Sequence, residues 1–130
     1  MEKQFEFWKD WKNITAQEKE AVKSLRTGER IILENIPREE ILAIYVKGSF
    51  IRREMNEKSD MDTVTILKHS SMLPRLRRLG EKYKKVFDPE IQFSGYSLWE
   101  LKNGKRSTAK GIKKNRAGTS RILKHFDHYQ

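Results

Sequence analysis

Apolar positions along the chain fall into runs of two different periods. Thr15 and Glu18 have the spacing of a capping box, and Ala21, Val22 and Leu25 supply one apolar face. A helix is predicted to open after Thr15 and to weaken near Gly28, followed by a second helical stretch from Ile31 to Ile36 that Pro37 ends. The unbroken run Ile41 to Val46, Ile-Leu-Ala-Ile-Tyr-Val, is the pattern of a strand covered on both faces. Phe50 to Ser59 is polar and basic and reads as a short helix plus loop. Met61 to Leu67 is β-branched at Thr63, Val64, Thr65 and Ile66, which predicts a second strand. Leu73, Leu76, Leu79 and Tyr83 recur at helical spacing, with Pro74 in the first turn and Gly80 as a weak point. Ile91, Gln92 and Phe93 alternate as a third strand, and Ser97 with Glu100 repeats the capping-box spacing ahead of a short helix through Trp99 and Leu101. The basic stretch beyond is expected to be helical in pieces around Gly104, Gly111 and Gly118.

This order of elements predicts an α/β (α+β) domain, a small mixed sheet with helices packed mainly on one face. The 130 residues, 15.5 kDa, suit a single domain over 1–130. With 36% apolar and 35% charged residues, the core is thin and the surface heavily charged. There is no Cys, which excludes disulfides, thiolate zinc sites and cysteine nucleophiles. The opening MEKQFEFWKDW lacks a continuous apolar stretch, and no later run reaches the length of a membrane span. A cytoplasmic location with no membrane contact is therefore expected.

The net charge of +10 is uneven. Lys102 to His125 holds nine Lys or Arg and no acid, leaving 19 basic against 18 acidic residues elsewhere. The basic C-terminal segment 102–125 is expected to meet a polyanion, nucleic acid or an acidic protein, through salt-sensitive contacts.

Candidate chemistry concentrates between Gly48 and Leu67, where Gly48-Ser49 is followed after ten residues by Asp60-Met61-Asp62. Gly48, just after a strand, permits close backbone approach, and Ser49 offers a hydroxyl and an amide to phosphate at the start of a helix. Asp60 and Asp62 lie two apart at the entrance to a strand, so alternation directs both carboxylates to one face. Two carboxylates about 4 Å apart repel by roughly 4 kcal/mol at an effective dielectric of 20, and a hard divalent cation relieves that repulsion. Arg52 and Arg53 fall one turn after Ser49, where one of them is expected to neutralise bound phosphate and the alternative for either is a solvated arginine beside Glu54. Ser59 suits a loop brace, and Tyr96, Trp99, Trp8 and Trp11 suit packing better than base stacking. His125 and His128 lack the supporting groups a metal centre needs.

The pattern Gly48-Ser49-x10-Asp60-Met61-Asp62 between two strands resembles the nucleotidyltransferase superfamily that includes DNA polymerase beta. It is most similar to the minimal nucleotidyltransferases, some of which are antitoxins paired with HEPN toxins. The resemblance spans residues 41–93. It implies that Gly48 and Ser49 contact the triphosphate of ATP or another nucleoside triphosphate. It further implies that Asp60 and Asp62 bind Mg2+ or Mn2+, and that a third carboxylate on a later strand completes the catalytic set. Here the chain departs from the family. The residue flanked by Ile91 and Phe93 is Gln92, and the nearby acid is Glu90, which shares its parity. Glu90 is therefore the candidate third ligand. The implied reaction is transfer of a nucleoside monophosphate to a hydroxyl, including one on a HEPN-type toxin. A noncatalytic nucleotide- or RNA-binding module is the alternative.

Overall fold

The structure is a computed structural model and describes residues 2–84, 86, 89–103, 105–108, 111–114 and 120–126. Its elements are β1 (Glu2–Gln4), α1 (Ala16–Asn35), β2 (Ile41–Lys47), β3 (Met61–Leu67), α2 (Leu73–Lys82), β4 (Ile91–Ser97), α3 (Leu98–Asn103), β5 (Lys105–Thr108), β6 (Gly111–Lys114) and β7 (Ser120–Phe126). Five strands form one mixed sheet in the order β1-β7-β2-β3-β4, and β5 pairs with β6. Only β3 and β4 run parallel, joined by the α2 crossover, and the other pairings are antiparallel.

Thr15 caps α1 as its sequence predicts. Its hydroxyl accepts from Glu18 N and its own amide donates to the Glu18 carboxylate, both at 3.0 Å. The helix then continues unbroken through Gly28, where a weakening was expected. A Cβ there would lie 3.0 Å from Ile91 Cδ1 and 3.4 Å from Phe93 Cε1, so this glycine lets α1 approach β4 closely.

Alternation along the strands sorts the side chains into two layers. Met61, Ile44, Val46, Ile91 and Phe93 pack with Leu25 and Ile32 of α1 and Leu76 of α2, making the main core on one face. On the opposite face Leu42, Ala43, Val64, Ile66 and Tyr96 form a smaller cluster, joined by Tyr45 and Leu98. Helices α1 and α2 thus lie on one face, as expected.

Three local expectations change. Residues 50–59 form turns without a helix: Arg53 N bonds to Phe50 O, Glu54 N bonds to Ser49 O, and Arg53 adopts a φ of +56°, which breaks a helical path. Ile31 to Ile36 belongs to the last turns of α1 and its cap instead of a second helix. The basic stretch forms β5, β6 and β7 instead of helical pieces: β5 pairs with β6, and β7 fills the edge of β2. Leu123 is fully buried there, and Lys124 pairs with Glu29 of α1 at 3.1 Å, both side chains under a tenth exposed. Gln4 Nε2 also donates to Glu29, at 3.2 Å, so one carboxylate engages both β7 and the β1 end. Gly104, Gly118 and His128 lie outside the described residues, as does the His125 side chain. Among the described residues no helix is long and apolar enough to cross a membrane.

Gly95 is the tightest point of the crossover. A Cβ would sit 2.5 Å from Leu76 Cδ2 and 2.6 Å from the Thr65 carbonyl oxygen, a backbone atom that cannot swing aside. Gly95→Ala is therefore expected to lower unfolding stability by about 2 kcal/mol or more in urea titrations. By contrast Thr65 Oγ1 is a buried hydroxyl without a hydrogen bond among the described residues. Thr65→Val is expected to be neutral or mildly stabilising by the same measurement.

Candidate active site

Strand register assembles a row of residues across one end of the sheet. The backbone of Ser120 in β7 faces Lys47 of β2, Lys47 faces Asp62 of β3, and Asp62 faces Gln92 of β4. Their neighbours Val46, Met61 and Ile91 point into the helical core, so Lys47, Asp62 and Gln92 point to the open face. Asp60 precedes β3 with the same parity as Asp62, and Gln92 Nε2 donates to its Oδ2 at 2.8 Å. Asp62 is half-buried and Asp60 exposed.

Gly48 turns the chain beside this row. Its φ of +107° belongs to glycine, and a Cβ on it would lie 4.0 Å from Asp62 Oδ2. The Gly48 turn therefore passes close to the Asp62 carboxylate, with room for no more than a methyl-sized group before van der Waals contact in the Cβ direction. Ser49 follows at half burial, its carbonyl closing the turn with Glu54 N at 2.9 Å. Because no helix follows Ser49, any phosphate contact there comes from a turn and not from a helix N-terminus.

Loop 48–60 is held from below. Phe50 is fully buried, with its ring centroid 5.2 Å from Trp11, 6.0 Å from Phe7 and 6.2 Å from Trp8. Arg53 donates through Nε and Nη2 to the two Glu18 carboxylate oxygens at 3.0 and 2.9 Å, and through Nη1 to Lys12 O at 2.9 Å. Its guanidinium also lies 4.7 Å from the Trp11 ring centre. Arg53 is thus a bolt between the loop and the start of α1, not a cation turned toward the carboxylates. Arg52 is exposed, its Nε bonded to Glu54 at 3.1 Å, an ion pair readily exchanged for a stronger anion. Ser59 Oγ accepts from Asn56 N at 2.9 Å and braces the turn ahead of Asp60.

Glu90 does not complete a three-carboxylate set. Among the described residues no three His, Cys, Asp or Glu gather as a metal-binding group. The parallel register puts Gln92, not Glu90, next to Asp62, and Glu90 lies just before β4, its carbonyl accepting from Met61 N at 2.8 Å. Glu90 instead lines a cleft of about 370 Å3 between α2 and β4, together with Arg77, Lys84 and Gln92. The aromatic expectations divide: Tyr96, Trp8 and Trp11 pack, whereas Trp99 is half exposed. Lys47 carries no signal of its own in the sequence. Its position one residue before Gly48 was visible, but its pairing with Asp62 requires the strand register.

No family model matches the sequence, and no curated protein matches it either. The fold is similar to the crystal structure, at 1.40 Å, of a Sulfolobus solfataricus protein provisionally assigned as a nucleotidyltransferase. The match has a TM-score of 0.51 at 13% identity and covers 83% of this chain and 96% of that one. The fold is therefore nucleotidyltransferase-like, a likeness of architecture at an identity too low to carry residue roles.

The Arg53 bolt has a pH signature. Its hydrogen bonds hold the Glu18 carboxyl down, from an ordinary 4.5 to about 2, against the opposing effect of burial and with help from the Thr15 amide. A lowered carboxylate pKa contributes stability that is fully present above pH 4.5 and lost as the pH falls through about 2. Arg53→Met is expected to lower the melting temperature at pH 7. The gap from the wild type should close as the pH is taken from 4.5 down to 2, read by circular dichroism.

Proposed function

We propose that this chain is a metal-dependent nucleotidyltransferase that takes a nucleoside triphosphate, ATP first, and transfers its nucleoside monophosphate to a hydroxyl, releasing pyrophosphate. The observation that carries the reading is the placement of Asp60 and Asp62 with the Gly48 turn on the open end of a nucleotidyltransferase-like sheet. The donor set fits a hard cation: two carboxylates offer oxygen ligands, and an ion such as Mg2+ usually draws the rest of its shell from phosphate and water. Held by Asp60 and Asp62, the ion would neutralise the triphosphate and stabilise the departing pyrophosphate.

The chain's own groups divide the remaining work. Lys47 brings a positive charge beside Asp62, and the Gly48 turn lets a phosphate approach the backbone. Arg52 is the loop arginine left for the triphosphate, since Arg53 is committed to Glu18, and the exposed Lys58 is a second loop cation close to Asp60 in sequence. Gln92 holds Asp60 in place but has no basicity, so it cannot take the acceptor's proton. Efficient transfer then needs an acceptor that arrives with its own base, such as a partner toxin of the HEPN type presenting a hydroxyl. The same Gln92 favours a second reading, in which the site binds nucleotide without transferring it.

Calorimetry of ATP binding with and without Mg2+ tests the site. Binding should require the metal and be lost in the Asp60→Asn, Asp62→Asn double variant, provided that variant remains folded. Binding indifferent to both changes would contradict the reading. Residue 92 separates transfer from simple binding. Gln92→Asp restores a carboxylate and is expected to raise incorporation of α-labelled nucleotide by about 100-fold. If nucleotide binds yet neither protein incorporates label with any acceptor class supplied, the noncatalytic reading stands.

A further inference from the structure

The near-balance of charge outside the C-terminal segment conceals a second basic region. From Lys68 to Lys84 the chain carries six Lys or Arg and one acid, Glu81. Helix α2 turns its apolar residues Leu73, Leu76 and Leu79 into the core, which leaves Arg75, Arg77, Arg78 and Lys82 exposed on the outside. Arg75, Arg78 and Lys82 follow one another at spacings of three and four, so they form a single stripe along the helix. Glu81 is one acid among them, and neither Arg75 nor Arg78 has an acidic partner among the described residues. A merely solvated helix face ordinarily mixes both signs of charge.

A different flank of the helix, carrying Arg77 and Glu81, borders a concavity. Arg77 and Lys84 line the cleft between α2 and β4, whose opposite wall includes Gln92, the residue bonded to Asp60. Guanidinium groups spaced along a helix match the repeating, singly charged phosphates of a polynucleotide, each of which accepts two parallel hydrogen bonds. A polynucleotide also releases condensed counterions as each phosphate is neutralised, a gain that an acidic protein surface does not offer to the same extent. We propose that the exposed Arg75, Arg78 and Lys82 stripe of α2 binds the phosphate backbone of a single-stranded nucleic acid, independently of sequence, and that the neighbouring cleft, where Glu81 and Glu90 offset Arg77 and Lys84, takes no part in holding phosphate. Binding of this kind requires neither nucleotide nor metal, so it stands whether or not the carboxylate site transfers nucleotides.

The test is fluorescence anisotropy with a labelled oligouridylate of about 20 nucleotides, titrated over a range of salt in the presence of EDTA. The Arg75→Ala, Arg78→Ala, Lys82→Ala variant is compared with a Lys9→Ala, Lys19→Ala, Lys23→Ala variant. The latter removes the same charge from surface sites on and before α1, and circular dichroism checks both folds. The α2 variant should bind at least about 10-fold more weakly than the wild type in low salt, with a slope of log Kd against log salt shallower by about 2. The control variant should stay within about 3-fold. Absence of binding by the wild type, an unchanged α2 variant, or equal losses in both variants would each overturn the proposal.

Discussion

The parallel pairing of β3 with β4 is the constraint from which the rest of the molecule follows. A parallel pair needs a crossover, here α2, and packing of that helix against the sheet brings Leu73 and Leu76 onto β4 at Gly95. The approach is close enough that β4 must carry Gly95 opposite Thr65. Side-chain bonds then lock the pair, with Thr63 Oγ1 donating to Gln92 O at 3.1 Å and Ser94 Oγ to Thr63 O at 3.0 Å. One residue of slip would turn Asp62 into the helical core and Met61 outward. Burial of Met61, Ile91 and Phe93 therefore sets the register that makes Gln92 the neighbour of Asp62.

A second set of contacts fixes the loop that faces this pair. Phe50 sits among the rings of Phe7, Trp8 and Trp11, and Arg53 closes on Glu18 at the start of α1. The Gln17 side chain also bonds to the Asn56 carbonyl. The loop between Gly48 and Asp60 is thus anchored at both its apolar and its charged points, and Gly48 stays opposite Asp62. Glu18 serves twice, as capping-box partner of Thr15 and as anchor for Arg53, which links helix initiation to the geometry of the site.

Much of this was legible in the sequence where the signal is local. Both capping boxes form, at Thr15 with Glu18 and at Ser97 with Glu100, and the second strand runs from Met61 to Leu67 as its β-branched residues suggest. Gly48, Asp60 and Asp62 fall at strand ends for the same reason. What stayed hidden depends on contacts between distant segments. Lys47 acquires meaning only through its pairing with Asp62, and Arg53 reads as a phosphate ligand until Glu18, 35 residues earlier, is seen to hold it. Gly28 looks like a helix breaker until Ile91 is found against it. The strands after α3 are hidden in the sequence because charge dominates their composition, while the edge of β2 that pairs with β7 leaves no mark in that stretch.

The most direct test of the account is paramagnetic broadening of backbone amide resonances by sub-stoichiometric Mn2+ in the presence of ATP. If Asp60 and Asp62 form the metal site beside the Gly48 turn, broadening concentrates at residues 47–49, 60–62 and 91–92, and the α1 amides far from that end keep their intensity. Broadening centred elsewhere, or spread evenly over the acidic surface, would contradict the placement of the site.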